Sequence, residues 1–257
     1  MTGRHYRSVP IDQTGYETTE AELAAEETAL IVMHCWNIGC EGGPAIDPDF
    51  CVGMGYREDF REGERIMREV IRPCMEAARR VGVLVAHVES PTIGARRPEA
   101  QEELDPPGPA AAAGEPVAEV VPGWRAHIAA RSHGASYETR SPYAQMDRAR
   151  VVEPLPGEPF AYETGQLHRL LRRRGIANLI YTGFATDMCV LRAPGGIEPM
   201  APYGYRLFLM RDATLGVELP ITFEERLATC WAIGYFETHY GDTVLSEDFL
   251  RACAAIA

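Results

Sequence analysis

The stretch Asn178-Leu-Ile-Tyr-Thr-Gly-Phe-Ala-Thr-Asp-Met-Cys-Val190 opens on a short apolar run, Leu179 to Tyr181, of the length and composition of a buried strand. Gly183 breaks the run, and Thr186 and Asp187 favour a helix start. Cys189 therefore falls in or just before the first turn of a helix that leaves the end of a strand. Unpaired backbone N–H groups and the positive end of the helix dipole face that position. They bias a thiol toward thiolate, the form that attacks carbonyls. A buried cysteine serving as a small apolar filler is the competing reading. The local context leaves the two balanced.

Upstream, Ala29-Leu-Ile-Val-Met33 is apolar throughout, as a strand covered on both faces should be, and it ends at His34-Cys-Trp-Asn37. A Gly-, Pro- and Asp-rich loop follows to about Tyr56. Asp59 to Arg80 has helical periodicity, and Pro73 is expected to kink or break it. Val83 to Ala86 is a second buried strand, closing on His87, so that strand, helix and strand make a βαβ unit of a parallel sheet. From Glu89 to about Arg150 the periodicity fails. Glu99 to Glu119 is rich in Pro, Ala, Gly and Glu, with a low-complexity tract at Ala110 to Ala113. The segment reads as a long exposed loop inserted into the domain, with a short helix at Trp124 to Ala130.

Arg150 to Glu153 reads as a short strand, and Thr164 to Arg174 as a helix stopped by Gly175. Beyond Val190 the next helix is disturbed by Pro194-Gly-Gly196, Pro199 and Pro202. Tyr205 to Met210 reads as a strand, Thr222 to Phe236 as an amphipathic helix, and Asp242 to Leu245 as an edge strand. Ser246 to Ala255 reads as a closing helix capped by Ser246. Residues 1–27, polar and acidic, read as a surface arm.

A chain of 257 residues with a formal charge of −12 suits one α/β domain and argues against nucleic acid or an anionic membrane surface as partner. No apolar run approaches the length of a membrane span, and Met1 to Arg7 lacks a signal-type apolar segment, so the expectation is a cytoplasmic protein. Seven cysteines without a paired Cys-x-x-Cys framework are expected to be reduced thiols. All 25 basic residues are arginine, which excludes any mechanism that needs a lysine ammonium.

Thr182-Gly-Phe-Ala-Thr-Asp-Met-Cys-Val190 resembles the nucleophile motif of the isochorismatase-like cysteine hydrolases, Thr-Gly-x-Ala-Thr-Asp-x-Cys-Val. Weaker similarity runs from about Thr28 to the C-terminus. The resemblance implies a doubly wound α/β fold, with a mostly parallel six-stranded sheet ordered 3-2-1-4-5-6 and helices on both faces. The whole chain would be one such domain, with the N-terminal arm 1–27 and an inserted loop at about 89–150. It further implies hydrolysis of a small amide or related C–N bond through a cysteine acyl-enzyme. A cis peptide between Ala185 and Thr186 and a homo-oligomer are also implied.

The usual triad of that family is Asp, Lys and Cys. Here His34 stands where the Asp belongs, and Pro154, or a residue close to it, where the Lys belongs. Only Cys189 survives. In one reading His34 replaces the Asp as base, because a Cys–His pair makes thiolate near neutral pH. The amides around Ala185, Thr186, Asp187, Met188 and Cys189 would then stabilise an oxyanion. Trp36, Asn37, His87, Arg140 and Arg192 are the candidates to line the pocket, the arginines supplying charge but no transferable proton. In the alternative reading the pocket binds a small metabolite, or stabilises an oligomer, without turnover. A third reading places zinc on His34, Cys35, Cys40 and His87. Nicotinamidases of the family hold a metal through an Asp-x-His pair plus another His, but Asp47-Pro-Asp-Phe50 in the corresponding loop has no His. No cofactor is therefore expected, and the expected partner is a small-molecule substrate or ligand.

Overall fold

A computed structural model describes residues 1–50, 57–102, 119–134 and 137–256. The tract at Ala110 to Ala113 and the end of the loop that reaches Tyr56 lie outside them. The strands and helices, in chain order, are β1 (Thr2–Arg7), β2 (Gly15–Glu20), β3 (Thr28–Met33), α1 (Arg57–Ile66), α2 (Arg72–Val81), β4 (Leu84–Val88), α3 (Pro91–Gly94), α4 (Trp124–His133), α5 (Tyr137–Arg140), β5 (Phe160–Ala161), α6 (Thr164–Arg173), β6 (Asn178–Phe184), α7 (Ile197–Met200), β7 (Arg206–Leu215), α8 (Leu227–His239), β8 (Gly241–Val244) and α9 (Ser246–Ala254).

These strands form one sheet in the order β2-β1-β8-β7-β6-β3-β4-β5. From β3 onward every neighbouring pair is parallel. Counted from β3, the parallel part runs 3-2-1-4-5-6, the expected order. The total is eight strands rather than six, because the N-terminal arm is a hairpin of β1 and β2 added antiparallel to β8 through Arg4 and Thr243. Its residues are polar and half-buried or exposed, so it carries no apolar alternation by which a strand is recognised. The same hairpin covers β8, which is therefore not an edge strand.

Each face of the sheet has its own core. Leu30, Val32, Val85 and Ile180 point to one face, against Phe60, Met67, Ile71, Cys74 and Met75 of the α1–α2 run and Phe249 of α9. Ala29, Ile31, Met33, Leu179 and Tyr181 point to the other, against Leu167, Leu170, Ile197 and Phe236. The strands are buried on both sides, which is why they read as unbroken apolar runs. Gly183 allows β6 to lie close against β3. Its φ is 105°, and a Cβ there would lie 1.9 Å from the Met33 carbonyl oxygen.

Several boundaries differ from the sequence reading for identifiable reasons. Helices α1 and α2 are joined by a π-helical segment, Met67–Ile71, just before Pro73, so the ring is accommodated by a wider turn rather than a break. Arg150–Val152 is a 3₁₀ turn, and the third parallel strand is Phe160–Ala161. Helix α8 begins five residues later than Thr222, after Arg226 in a left-handed conformation (φ 54°). Helix α9 is capped from a distance: Asp212 accepts from the Ser246 amide at 2.9 Å and from its hydroxyl at 2.5 Å. Asp212→Ala is expected to cost about 1 kcal/mol, read as a lower urea midpoint with an unchanged slope.

No helix among the described residues is long and apolar enough to cross a membrane.

Candidate active site

Strands β4, β3 and β6 are hydrogen-bonded neighbours, and Glu89, His34 and Cys189 follow their carboxyl ends. Ligands of doubly wound sheets bind at this edge, where the strand order reverses. Here it reverses between β3 and β6.

Cys189 lies on a π-helical turn, Thr186–Val190, that leaves β6 directly. The turn is held by Val190 N–H donating to the Ala185 carbonyl at 3.0 Å and by a 2.6 Å hydrogen bond between the Thr186 and Thr214 hydroxyls. Asp187 accepts from the Val217 amide at 2.8 Å, and burial raises its carboxyl above the usual range. Cys189 is partly exposed, whereas Cys35, Cys74 and Cys253 are buried. Burial pushes its thiol up to about 11, the Ala185 backbone amide pulls the other way, and the charges of Glu89 and Asp187 add to the rise. The helix-mouth argument alone therefore does not make a thiolate: a base is needed at neutral pH.

The non-proline cis peptide of this turn joins Phe184 to Ala185, one residue before the expected position. Among the expected oxyanion donors, the Met188 amide is committed to the Ala185 carbonyl at 3.2 Å. The Met188 side chain is half-exposed.

His34 is placed differently from expectation. Its φ of 47° is left-handed, and its ring lines a small cavity with Trp36, Ile38, Phe60, Gly63, Met67 and Phe184. That cavity belongs to the α1 side of the sheet, whereas Cys189 packs against the opposite core. Neither ring nitrogen of His34 has a hydrogen-bond partner. Burial, and then the charge of Arg148, hold its imidazole down at about 3. The imidazole is thus enclosed and held neutral, stacked on the Trp36 ring at 5.5 Å.

Two buried charged groups at this edge were passed over in the sequence reading. Glu89 and Arg148 are both fully buried and paired, Arg148 Nη1 donating to Glu89 Oε1 at 2.8 Å. Trp36 Nε1 donates to the other carboxylate oxygen at 3.1 Å. Arg148 also donates to the carbonyls of Val32 (3.3 Å) and Val152 (3.0 Å). It thereby fills the gap between the end of β3 and the segment leading to Pro154. The end of the insertion is fixed there by pairing with residues 35–37. Asn37 N–H donates to the Asp147 carbonyl at 2.9 Å, Asp147 N–H to Asn37 Oδ1 at 2.8 Å, and Ala149 N–H to the Cys35 carbonyl at 2.8 Å. Burial raises Glu89 to about 7, with Arg148 and Trp36 opposing. Tyr143 packs edge-on to Trp36 at 5.4 Å and lies within range of the Cys189 charge.

Other expected pocket residues are occupied elsewhere. His87 is fully buried beneath the edge, Nε2 bonded to Glu158 at 2.8 Å, and Glu158 is shared with Arg79. Arg140 bonds Asp47 and Asp49 at 3.0 and 3.2 Å and covers the Phe50 ring, so the carboxylates of that loop neutralise an arginine. Arg192 donates to the Asp187 carbonyl at 2.7 Å on the outer side of the nucleophile turn. Among the described residues no group of three His, Cys, Asp or Glu side chains is placed to hold a metal ion, the set His34, Cys35, Cys40 and His87 included.

Beyond Val190 the helix does break, at Ala193 to Gly196, and the break is packed: Tyr181 donates to the Gly195 carbonyl at 2.9 Å and Gly195 N–H to the Thr164 hydroxyl at 3.0 Å.

No family model and no curated protein sequence matches the chain. Solved structures do match its fold. A cysteine hydrolase from Pseudomonas syringae pv. phaseolicola is 14% identical, with a TM-score of 0.56 over 93% of this chain and 97% of that one. An isochorismatase family protein from Burkholderia thailandensis is 18% identical, with a TM-score of 0.51 over 89% and 96%. An isochorismatase-like hydrolase from Alkaliphilus metalliredigens is 14% identical, with a TM-score of 0.50 over 88% and 98%.

Proposed function

We propose that this chain, which has the isochorismatase-like α/β fold, hydrolyses a small amide or related C–N bond through Cys189. The observation that carries the reading is the seat of that thiol. It is partly exposed, at the carboxyl edge of a central strand, on a short turn whose Ala185 amide faces the sulfur. The fold likeness to a cysteine hydrolase supports it.

In the proposed reaction the thiol loses its proton to a base and the sulfur attacks the carbonyl carbon. The C–N bond breaks, and the amine leaves with a proton. Water then attacks the thioester and releases the acid and the thiol. At about 11 the thiol is almost wholly protonated at neutral pH, so the first proton transfer limits how much nucleophile exists.

The test is a panel of small primary amides, ureas and carbamoyl compounds assayed for amine or ammonia release. The wild-type chain is expected to turn over at least one class, and Cys189→Ala none. Equal rates in the two proteins would remove the nucleophile assignment. Saturable binding without turnover would favour a ligand-binding protein instead.

A further inference from the structure

We propose that Glu89 is the proton acceptor for Cys189, and that Arg148 and Trp36 are the positioning residues that aim its carboxylate. The inference rests on Cys189 being a nucleophile but not on any substrate.

Three observations carry it. The first is location. Glu89 leaves β4 at the edge where Cys189 leaves β6, with only β3 between them. Two strand spacings are about 10 Å of backbone, and the Glu89 charge is close enough to raise the Cys189 thiol. At the end of the intervening strand, the His34 ring stacks on Trp36 at 5.5 Å and so backs the donor that holds Glu89.

The second is the way the carboxylate is held. Each oxygen takes one fixed donor, Arg148 on one and Trp36 on the other. A carboxylate has about four acceptor positions, so the clamp fixes orientation and leaves capacity for one more proton. Arg148 is itself locked by the Val32 and Val152 carbonyls, so the cation cannot swing away.

The third is energetic. A fully buried acid–guanidinium pair gains little over apolar residues of the same volume, because desolvation offsets the attraction. Stability alone does not call for one here, at the ligand-binding edge of the sheet. A carboxyl held at about 7 by burial, against the pull of Arg148, is matched to proton transfer at neutral pH.

The charged and titratable groups that bear on Glu89 are Arg148, Cys35 and His34, whose ring meets the Glu89 backbone, and those on Cys189 are Glu89, Asp187 and Tyr143. Of these, Glu89 alone combines a fixed position with a pKa near 7. In the step itself the Cys189 S–H bond breaks and its proton passes to a Glu89 oxygen. The sulfur lone pair forms the bond to the carbonyl carbon. Glu89 then returns the proton to the leaving nitrogen as the C–N bond breaks.

The experiment is the rate of Cys189 alkylation by iodoacetamide from pH 6 to 10, followed by peptide mass spectrometry so that each cysteine is read separately. In the wild-type chain the Cys189 rate is expected to rise up to about pH 7 and then flatten, because the reactive species is a thiol paired with an ionised Glu89. Cys230, exposed on α8, is the internal control and shows no such plateau. Glu89→Gln is expected to lose the plateau, and Glu89→Asp to retain it at a lower rate. A wild-type rate that climbs tenfold per pH unit throughout overturns the proposal, as does a plateau that survives Glu89→Gln. Should Glu89→Gln fail to fold, the wild-type and Glu89→Asp profiles decide. Alkylation needs no turnover, so a flat amide panel would count against the hydrolase reading without touching this one.

Discussion

Arg148→Ala is expected to lower the unfolding free energy by about 3–5 kcal/mol, the loss found when one partner of a buried ion pair is removed. The side chain is enclosed, and its three bonds go to groups that no water reaches. Truncation leaves the Glu89 carboxylate without its counter-charge and the Val32 and Val152 carbonyls without a donor. Each orphaned buried acceptor carries a desolvation penalty of about 1–3 kcal/mol.

The loss should depend on pH in a definite direction. Without Arg148 the Glu89 carboxyl rises further above about 7 and escapes its penalty by taking a proton. The variant is therefore expected to be closer to wild type at pH 5 than at pH 8. The double variant Glu89→Leu/Arg148→Met, which removes both charges, is expected to recover most of the stability and none of the Cys189 plateau. Urea unfolding with a free slope measures all three proteins. A cost below about 1 kcal/mol for Arg148→Ala at pH 8 would mean that water reaches the pair, contrary to the packing described above.

The fold was legible because its central strands obey one simple rule. Ala29 to Met33 and Leu179 to Tyr181 are covered on both faces and so are apolar at every position. Strand β1 was illegible for the opposite reason: it packs beside β8 with polar, half-buried side chains, and nothing in its residue order separates it from an arm. Cys189 could be found because the turn after a buried strand leaves a mark in sequence, an apolar run, a glycine and then helix-starting residues.

Glu89 and Arg148 left no such mark. Arg148 lies in a segment without periodicity, and its burial depends on the pairing of residues 147–149 with residues 35–37, a long-range contact that local pattern does not encode. Glu89 was nearer to being found, since an acid directly after a buried strand stands at the ligand-binding edge of such a sheet. The position of His34 at the end of β3 was legible, but not its enclosure, which depends on Phe60, Met67 and Phe184 from three other elements. By the alternation of β3 its ring follows Leu30 and Val32 to the α1 face, where it meets Phe60, Met67 and the Trp36 ring.

That same imidazole sets the second large expectation, the loss of stability in acid. His34 and His87 are both held well below 6.5, chiefly by burial and then by Arg148. Between pH 6.5 and 4.5 the unfolded chain binds a proton on each, and the native chain binds neither. Glu89 acts with the opposite sign in this window, because its native carboxyl, at about 7, keeps a proton that the unfolded carboxylate has lost. The difference is one proton in favour of the unfolded state. Stability should fall by about 1.4 kcal/mol for each unit of decreasing pH.

Below 4.5 the unfolded Glu89 also becomes protonated and its contribution vanishes. Burial works against Glu158, yet hydrogen bonds from His87 and Arg79 hold it at about 2, so it now adds to the loss. The decline should steepen to roughly three times the earlier slope until His34 charges at about 3. His34→Phe removes one of the two imidazole protons and fills an apolar cavity with an apolar ring. Its urea-derived stability is expected to be nearly flat from pH 6.5 to 4.5. An unchanged slope would show that His34 binds its proton in the native state and that its cavity is open to water. The Cys189 alkylation plateau should be unaltered in the same variant, because the group that takes the sulfur's proton lies on the neighbouring strand.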